Sequence, residues 1–260
     1  MYLLYFLISL LATTIGAICG VGGGIVIKPV LDATRTLSVS DISFLSGCTV
    51  LSMTVISVFR NRKVKGVLDI KISTALAIGG AIGGAIGKYI FELAKSIFHH
   101  ENYLGAAQAA LLILITVGSL IYSINSDKIK TYKLNNIFAC CIIGLSLGTI
   151  SAFLGIGGGP INLTVLFFFF SMETKKAAAN SLYIILFSQF TSLSQTVING
   201  SIPPVSIAVL ILMIVAGIIG GCIGSNINKI IAVEVVDRLF IAFMAVVICI
   251  NIYNFYRFIF

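Results

Sequence analysis

The stretch GVGGGIVIKPVL at residues 20–31 returns as GIGGGPINLTVL at residues 155–166, 135 positions later. Both copies place four glycines within five residues in strongly apolar surroundings. Each glycine inside a helix costs about 1 kcal/mol relative to alanine, and glycine turns the chain freely. We therefore predict that each copy interrupts the helical path and that the protein consists of two related halves.

The rest of the chain is apolar enough to need lipid as its solvent. Of its 260 residues, 58% are hydrophobic and 10% are charged, whereas soluble domains carry about 25% charged residues. Charged residues divide the chain into eight long apolar stretches. Their approximate bounds are 2–19, 42–59, 72–98, 103–124, 134–154, 177–198, 204–228 and 238–256. The N-terminal stretch lacks the basic region of a cleaved signal peptide, so we expect it to be the first span.

Two shorter apolar pieces, 24–31 and 158–171, follow the glycine clusters, and a full span takes ~20 residues. We predict an all-α membrane protein: a polytopic bundle of about eight full transmembrane helices plus two glycine-hinged re-entrant or short half-helices. Further matches between the halves support the duplication, including Gly83–Gly87 with Gly220–Gly224. We expect a first transmembrane repeat at 1–126, a second at 134–260 and a cytoplasmic linker at 127–133.

The 17 Lys and Arg residues distinguish two topologies. If each glycine cluster only interrupts a crossing, nine basic residues lie inside and eight outside. If each cluster reverses the chain, twelve basic residues lie inside and five outside, which obeys the positive-inside rule. The most basic loop, with Arg60, Arg62, Lys63, Lys65 and Lys71, is then cytoplasmic. Reversal gives five membrane elements per half, so we predict two inverted repeats with both termini outside.

The glycine clusters also predict a binding site. Backbone N–H groups at the start of a helix lack intrahelical partners, and the helix dipole adds positive charge there, which favours anions. We expect a small anion between the two clusters near the midplane. The predicted ligands are Gly22, Gly23, Gly24, Gly157, Gly158 and Gly159. The alternative to anion binding is that these glycines only allow close helix packing. We assign that packing role to the glycines that lie at helical spacing, namely Gly79, Gly80, Gly83, Gly84, Gly87, Gly217, Gly220, Gly221 and Gly224.

Several side chains near the clusters are candidate ligands as well. Neutral donors, which suit both capture and release of an anion, are Asn162, Asn180, Ser181 and Thr49; the alternative for each is interhelical hydrogen bonding. Lys28 follows the first cluster by one turn and either attracts the anion or extends to the surface. Cys48 and Cys19 lie near the first cluster, where packing is the alternative to contact with substrate.

Residues 20–31, their second copy, the later glycine-rich helices and Ala179-Asn180-Ser181-Leu182 together resemble the sulfite exporter TauE/SafE family. The resemblance covers the whole chain, and Lys28 departs from the family pattern. It implies a bacterial inner-membrane transporter of sulfite, sulfonates such as sulfoacetate, or related sulfur-containing anions, mostly outward. We expect a multi-pass protein of the plasma membrane with an anion and lipid as partners, no nucleic acid and the option of a homo-oligomer.

Other functions are weighed against this one. A thiosulfate or sulfide-type uptake permease of the same fold places Cys19 or Cys48 in the path, and a membrane scaffold subunit has no transport of its own. We expect no enzyme, because we find no nucleophile–base pair, and no cofactor or metal. All acidic residues fall at ends or in loops, and His99 and His100 at a helix end, so we expect no internal proton relay.

Overall fold

The structure is a computed structural model that describes residues 1–62, 68–98 and 101–259, apart from the side chain of Asp127. Lys63 and Lys65 of the most basic loop lie outside these ranges, as do His99 and His100. In the described ranges the chain forms ten α-helices and one 3-10 turn, Ser126–Lys128. The helices are α1 (Tyr2–Cys19), α2 (Gly24–Thr34), α3 (Val39–Asn61), α4 (Ile70–Ile97), α5 (Glu101–Ile124), α6 (Ile137–Leu154), α7 (Pro160–Phe170), α8 (Thr174–Ile198), α9 (Ile207–Ile230) and α10 (Val233–Ile259).

The prediction of a polytopic helical membrane protein is confirmed. Eight helices are long and apolar enough to cross a membrane, while α2 and α7 have 11 residues each. The 18 residues of α1 make a helix about 27 Å long, close to the apolar thickness of a bilayer, whereas 11 residues extend only about 16 Å. The short helices are therefore the two elements that do not cross.

Each glycine cluster reverses the chain. The α1 residue Gly16 packs against the backbone of Gly22 and Gly23, while the Tyr5 hydroxyl, near the start of α1, lies 2.7 Å from Oγ1 of Thr36, beyond the end of α2. Thus α2 runs back along α1. In the second half the end of α7 returns to the segment before α6, where the backbone N–H of Tyr132 donates to Phe168 O over 2.7 Å. The predicted reversal is confirmed in both halves.

The directions of the helices show that the repeats are inverted. Gly47 of α3 faces Gln189 and Leu193 of α8, whereas Val50, one turn later in α3, meets Ile185, one turn earlier in α8, across Gly22. Equivalent helices α3 and α8 are therefore antiparallel. The start of α5 likewise packs against the end of α10, because Gly105 contacts the Phe258 ring. Helix pairs α4–α6 and α1–α9 each join one half to the other, so the halves are interleaved.

Glycines bring these paired helices into backbone contact, as predicted. A Cβ added at Gly83 would overlap Leu145 O of α6, and one added at Gly220 would overlap Oγ1 of Thr13 of α1. At the 135-residue offset, Thr13 of α1 corresponds to Gly148 of α6. Gly148 lies one turn beyond Leu145. The same packing thus occurs twice, once at each interface between the halves.

We expect Gly83→Ala to destabilise the α4–α6 interface, because the new methyl group meets backbone and neither helix can yield cheaply. Overpacking of this kind costs about 1–3 kcal/mol. Thermal unfolding of the purified protein in detergent checks this. Gly118→Ala is the matched control, since nothing lies within 4 Å of a Cβ added at this exposed α5 position, and it should not lower the melting temperature. Equal melting temperatures for the two variants would contradict the observed packing.

Basic side chains gather at one end of the bundle, which we call the basic end; α4, α6, α8 and α10 begin there. The described Lys and Arg residues at this end are Arg60, Arg62, Lys71, Lys128, Lys130, Lys133, Lys175, Lys176, Lys229 and Arg238. Both termini lie at the other, opposite end: Tyr5 contacts Thr36, and Arg35 lies 6.0 Å from the ring centre of Phe258. The arrangement agrees with the charge distribution of the reversal topology.

Candidate functional site

The two glycine clusters meet at the centre of the bundle. Positive φ angles at Gly22 (76°), Gly157 (71°) and Gly158 (145°) make the two turns, and all six predicted glycines are buried. A Cβ added at Gly24 would overlap the carbonyl oxygen of Ile156. One added at Gly22 would lie 3.8 Å from Gly157 O. The structure therefore brings the predicted glycines together, with each loop packed directly on the other.

Two branched apolar side chains cover the contact between the glycine loops. Val50 and Ile185, 135 residues apart, lie near the middles of α3 and α8. Both lie beside Gly22, at 3.6 and 3.5 Å from an added Cβ. Val50 also covers Gly157, and Ile185 covers Gly158. The structure is closed at its centre, so an anion would reach these backbone N–H groups only after the loops or the covering side chains move.

A small cavity of about 20 Å³, which we call the vestibule, lies beside the second glycine loop on the side of the opposite end. An anion would enter it only after it widens. Half of its lining residues are polar, namely Ser43, Lys88, Gln189, Ser192 and Thr196, and the others are Phe44, Phe91, Ala152, Gly155 and Leu193. Gly155 packs on Oγ of Ser43, and the amide carbon of Gln189 lies 3.1 Å from a Cβ added at Gly157. The vestibule thus ends beside the glycines, where Gln189 contacts Gly47 and Gly157.

Lys88 is a functional candidate that the sequence analysis missed. It lies well inside α4, with its side chain 14% exposed; its Nζ is 2.7 Å from Oε1 of Glu92 and 4.8 Å above the ring of Phe91. A cation within a membrane helix is by default a candidate for a functional site. The signal was present, since Lys88 follows Gly87 directly and is the first charged residue of the predicted span 72–98.

Lys28 and Asp32 form a buried ion pair on α2. Their side chains are 3% and 8% exposed, with Nζ 3.5 Å from Oδ2, and the ammonium also donates to Oγ of Ser43 over 3.2 Å. Extension of Lys28 to the surface, the alternative to anion contact, is therefore wrong. Asp32 lies in the last turn of α2, at a helix end as predicted, but it is buried there. Because α2 continues to Thr34, Asp32 lies within the helix one turn beyond Lys28, where pairing offsets its burial.

Two of the predicted polar ligands make contacts with other helices. Oδ1 of Asn180 accepts hydrogen bonds from the backbone N–H of Asp69 (3.2 Å) and the hydroxyl of Ser73, which holds the start of α4 on α8. The hydroxyl of Thr49 donates to Leu45 O over 2.7 Å, and Thr49 packs against Gly217 of α9. Whether either residue also contacts substrate stays a prediction.

Other predicted side chains are buried with unused hydrogen-bonding capacity. Within the described residues, Oγ of Ser181 and Oδ1 of Asn162 have no hydrogen-bond partner. Oγ of Ser46 shares this property and lies 2.9 Å from a Cβ added at Gly24. Ser46 and Ser181 occupy equivalent positions of the two halves, 135 residues apart. Buried hydroxyls without partners are costly, which marks both as donors available to a ligand.

The cysteines of the first half differ in their surroundings. Cys19 is fully buried in an apolar cluster with Val21 and Ile25, whereas Cys48 is partly buried. All six cysteines are free thiols. Over the described ranges, the structure holds no group of three or more His, Cys, Asp or Glu side chains that could bind a metal ion.

Comparisons with known proteins agree with this architecture. The family model described as Sulfite exporter TauE/SafE matches residues 5–250. A curated relative, described as probable membrane transporter protein YunE of Bacillus subtilis (strain 168), is 24% identical over 255 residues, which covers 88% of this chain and 89% of that protein. No solved structure matches the chain.

Proposed function

The chain belongs to the sulfite exporter TauE/SafE family, and we propose that it transports small sulfur-containing anions, either sulfite or an organosulfonate such as sulfoacetate, out of the cell. The observation that carries this proposal is the meeting of two buried glycine loops beside the vestibule, whose lining includes the cation Lys88. Inverted repeats with broken helices at their centre are typical of secondary transporters.

In this proposal the anion moves between the vestibule and the glycine loops. Lys88 attracts it, and Gln189 and Ser192 offer donors without permanent charge. At the centre the anion is held by N–H groups at the starts of α2 and α7, around Gly22–Gly24 and Gly157–Gly159. The buried hydroxyl of Ser181 and the side-chain amide N–H groups of Asn162, both in the second repeat, complete the set of proposed donors.

We assign the basic end to the cytoplasm, because basic residues concentrate in cytoplasmic loops. The vestibule and both termini then face outward, in a bacterial plasma membrane. Movement of one negative charge outward gains about 2.3 kcal/mol per 100 mV of membrane potential. This gain is sufficient to drive export of an anion.

Flux measurements test the proposal. The purified protein, reconstituted into liposomes loaded with sulfite, sulfoacetate or methanesulfonate, should release the anion faster when a potential drives negative charge outward. Liposomes without protein give the background. Absence of protein-dependent flux for all three anions would overturn the proposed function, and a stable co-purifying partner in that case would favour the scaffold alternative.

We expect Lys88→Gln to lower sulfite flux by about tenfold, equivalent to about 1.4 kcal/mol, because the vestibule loses its attracting charge. Lys95→Gln is a matched control on the same helix: Lys95 is 41% exposed and pairs with Glu101. Flux should be close to normal in that variant. Equal loss in the two variants would show that Lys88 has no special part in attracting the anion.

A further inference from the structure

We propose that the buried Lys28–Asp32 pair couples anion binding in the vestibule to the uptake of one proton by Asp32 from the opposite end of the bundle. The inference rests on the proposed function and adds a pH dependence to it: the proton binds and leaves at the same face, so the exported anion still carries its charge across the membrane. It makes transport depend on the pH at the face where both termini lie.

Asp32 lies between two cavities. One, of about 220 Å³, is at the opposite end and is lined by Asp32 with Arg35, Ser38 and Glu101. The other is a small internal cavity lined by Asp32 with Lys28, Gln108 and Asn251. Oδ2 of Asp32 pairs with Lys28, whereas the buried Oδ1 has no hydrogen-bond partner within the part of the chain that the structure describes. The carboxylate therefore has a free site for a proton beside a cavity that leads outward.

Lys28 connects this carboxylate to the vestibule. Its Nζ donates to Oγ of Ser43, and Ser43 both lines the vestibule and packs on Gly155. Polar groups thus continue from the outer cavity through Asp32, Lys28 and Ser43 to the proposed anion path. At the equivalent positions the second half has Leu163 and Phe167. The proposed coupling is therefore confined to one half and to one proton per anion.

Among the ionisable groups around the Lys28–Asp32 pair, Asp32 is the one whose protonation we expect to change when an anion binds. Arg35, directly after α2, and Glu101 of α5 share its outer cavity. Glu101 is 34% exposed, pairs with Lys95 at 3.4 Å and accepts from the backbone N–H of Val39 over 3.2 Å. The neighbours on the other packed helices are neutral: Tyr5 of α1, Ser43 of α3, Gln108 of α5, and Asn251 and Asn254 of α10. The charge of Asp32 is therefore balanced chiefly by Lys28.

Electrostatics gives the direction of the coupling. An anion near Ser43 attracts the ammonium of Lys28 and adds negative charge close to Asp32. Both effects favour the protonated form of a buried carboxylate. By thermodynamic reciprocity, a lower pH at the opposite end must then strengthen anion binding.

Calorimetry of the full chain in detergent tests this inference. Methanesulfonate, whose charge is constant across the working pH range, is titrated in buffers of different ionisation enthalpy, so that the buffer dependence of the heat counts protons. We expect uptake of up to one proton per anion in the native protein and none in Asp32→Asn, which should still bind. Binding by the native protein without proton uptake, or uptake that persists in Asp32→Asn, would overturn the inference and leave the proposed function intact.

Further variants distinguish proton uptake by Asp32 from a folding defect and from uptake by another carboxylate. If Asp32→Asn does not fold, the neutral pair Lys28→Met/Asp32→Asn replaces it, and this variant should take up no proton. Glu101→Gln should leave uptake unchanged; its loss there would assign the proton to Glu101 instead of Asp32. Glu234→Gln removes an exposed carboxylate at the start of α10 and controls for the loss of a surface charge. Failure of methanesulfonate, sulfite and sulfoacetate alike to bind would defeat the proposed function, and the inference with it.

Discussion

Lys28→Met should destabilise the protein by about 3–5 kcal/mol, the cost of removing one partner from a buried ion pair. The substitution leaves the carboxylate of Asp32, 8% exposed, without its counter-charge in a small cavity that Gln108 and Asn251 also line. The whole stability of a protein is often only about 5–15 kcal/mol. We therefore expect a large fall in melting temperature for the purified protein in detergent.

The double variant Lys28→Met/Asp32→Asn separates the ion pair from simple packing. Replacing both charges by neutral groups of similar size is often close to neutral in free energy, so its melting temperature should return to near that of the native protein. If the single variant were as stable as the double, Asp32 would be in contact with water and the pair would not be buried in the membrane-embedded protein.

Much of the topology could be predicted because it depends on quantities carried by the sequence itself. The parity of the membrane elements follows from where Lys and Arg fall, and the contact between Tyr5 and Thr36 agrees with the reversal that this distribution required. The packing glycines were predictable for a similar reason. Small residues at helical spacing fit close backbone contact, as found at Gly83 and Gly220.

Contacts between distant residues could not be predicted in this way. Asn180 is a plausible ligand in the sequence, yet its amide binds Asp69, 111 residues away, because α4 and α8 pack across the boundary of the halves. The burial of Asp32 could not be predicted, because it depends on where α2 ends and on which residues of α5 and α10 surround it, such as Gln108 and Asn251. Helix ends are the least certain part of such predictions.

The two halves differ in the residues at several equivalent positions near the proposed site. Ser43, beside Gly155 in the vestibule, has Ala178 as its counterpart beside Gly20. Lys28 and Asp32 have only apolar counterparts, Leu163 and Phe167. The frame of the protein is thus symmetric, while the buried ion pair Lys28–Asp32 occurs in the first half alone. A transporter that binds at the centre and discriminates between its two faces needs such asymmetry.

Alanine at two neighbouring glycines should separate the structural role of the loops from their role in transport. A methyl group at Gly24 would overlap the Ile156 carbonyl, which is backbone and cannot move aside. We therefore expect Gly24→Ala to aggregate or to fail to accumulate. At Gly22 the nearest atom is 3.5 Å away, so alanine costs only the strain of a positive φ, about 1–2 kcal/mol.

Gly22→Ala should consequently fold, with a modestly lower melting temperature, and lose at least about nine tenths of its anion flux. Its methyl group occupies the space between Val50, Ile185 and Gly157, which lies on the proposed path of the anion to both helix starts. Gly118→Ala again serves as the control and should transport normally. Normal flux through Gly22→Ala would place the anion path elsewhere.

Stable folding of Gly24→Ala would mean that the loops are apart in the membrane. Since the two changes add the same atom two residues apart, different outcomes are explained by the contact between the loops and not by the chemistry of alanine.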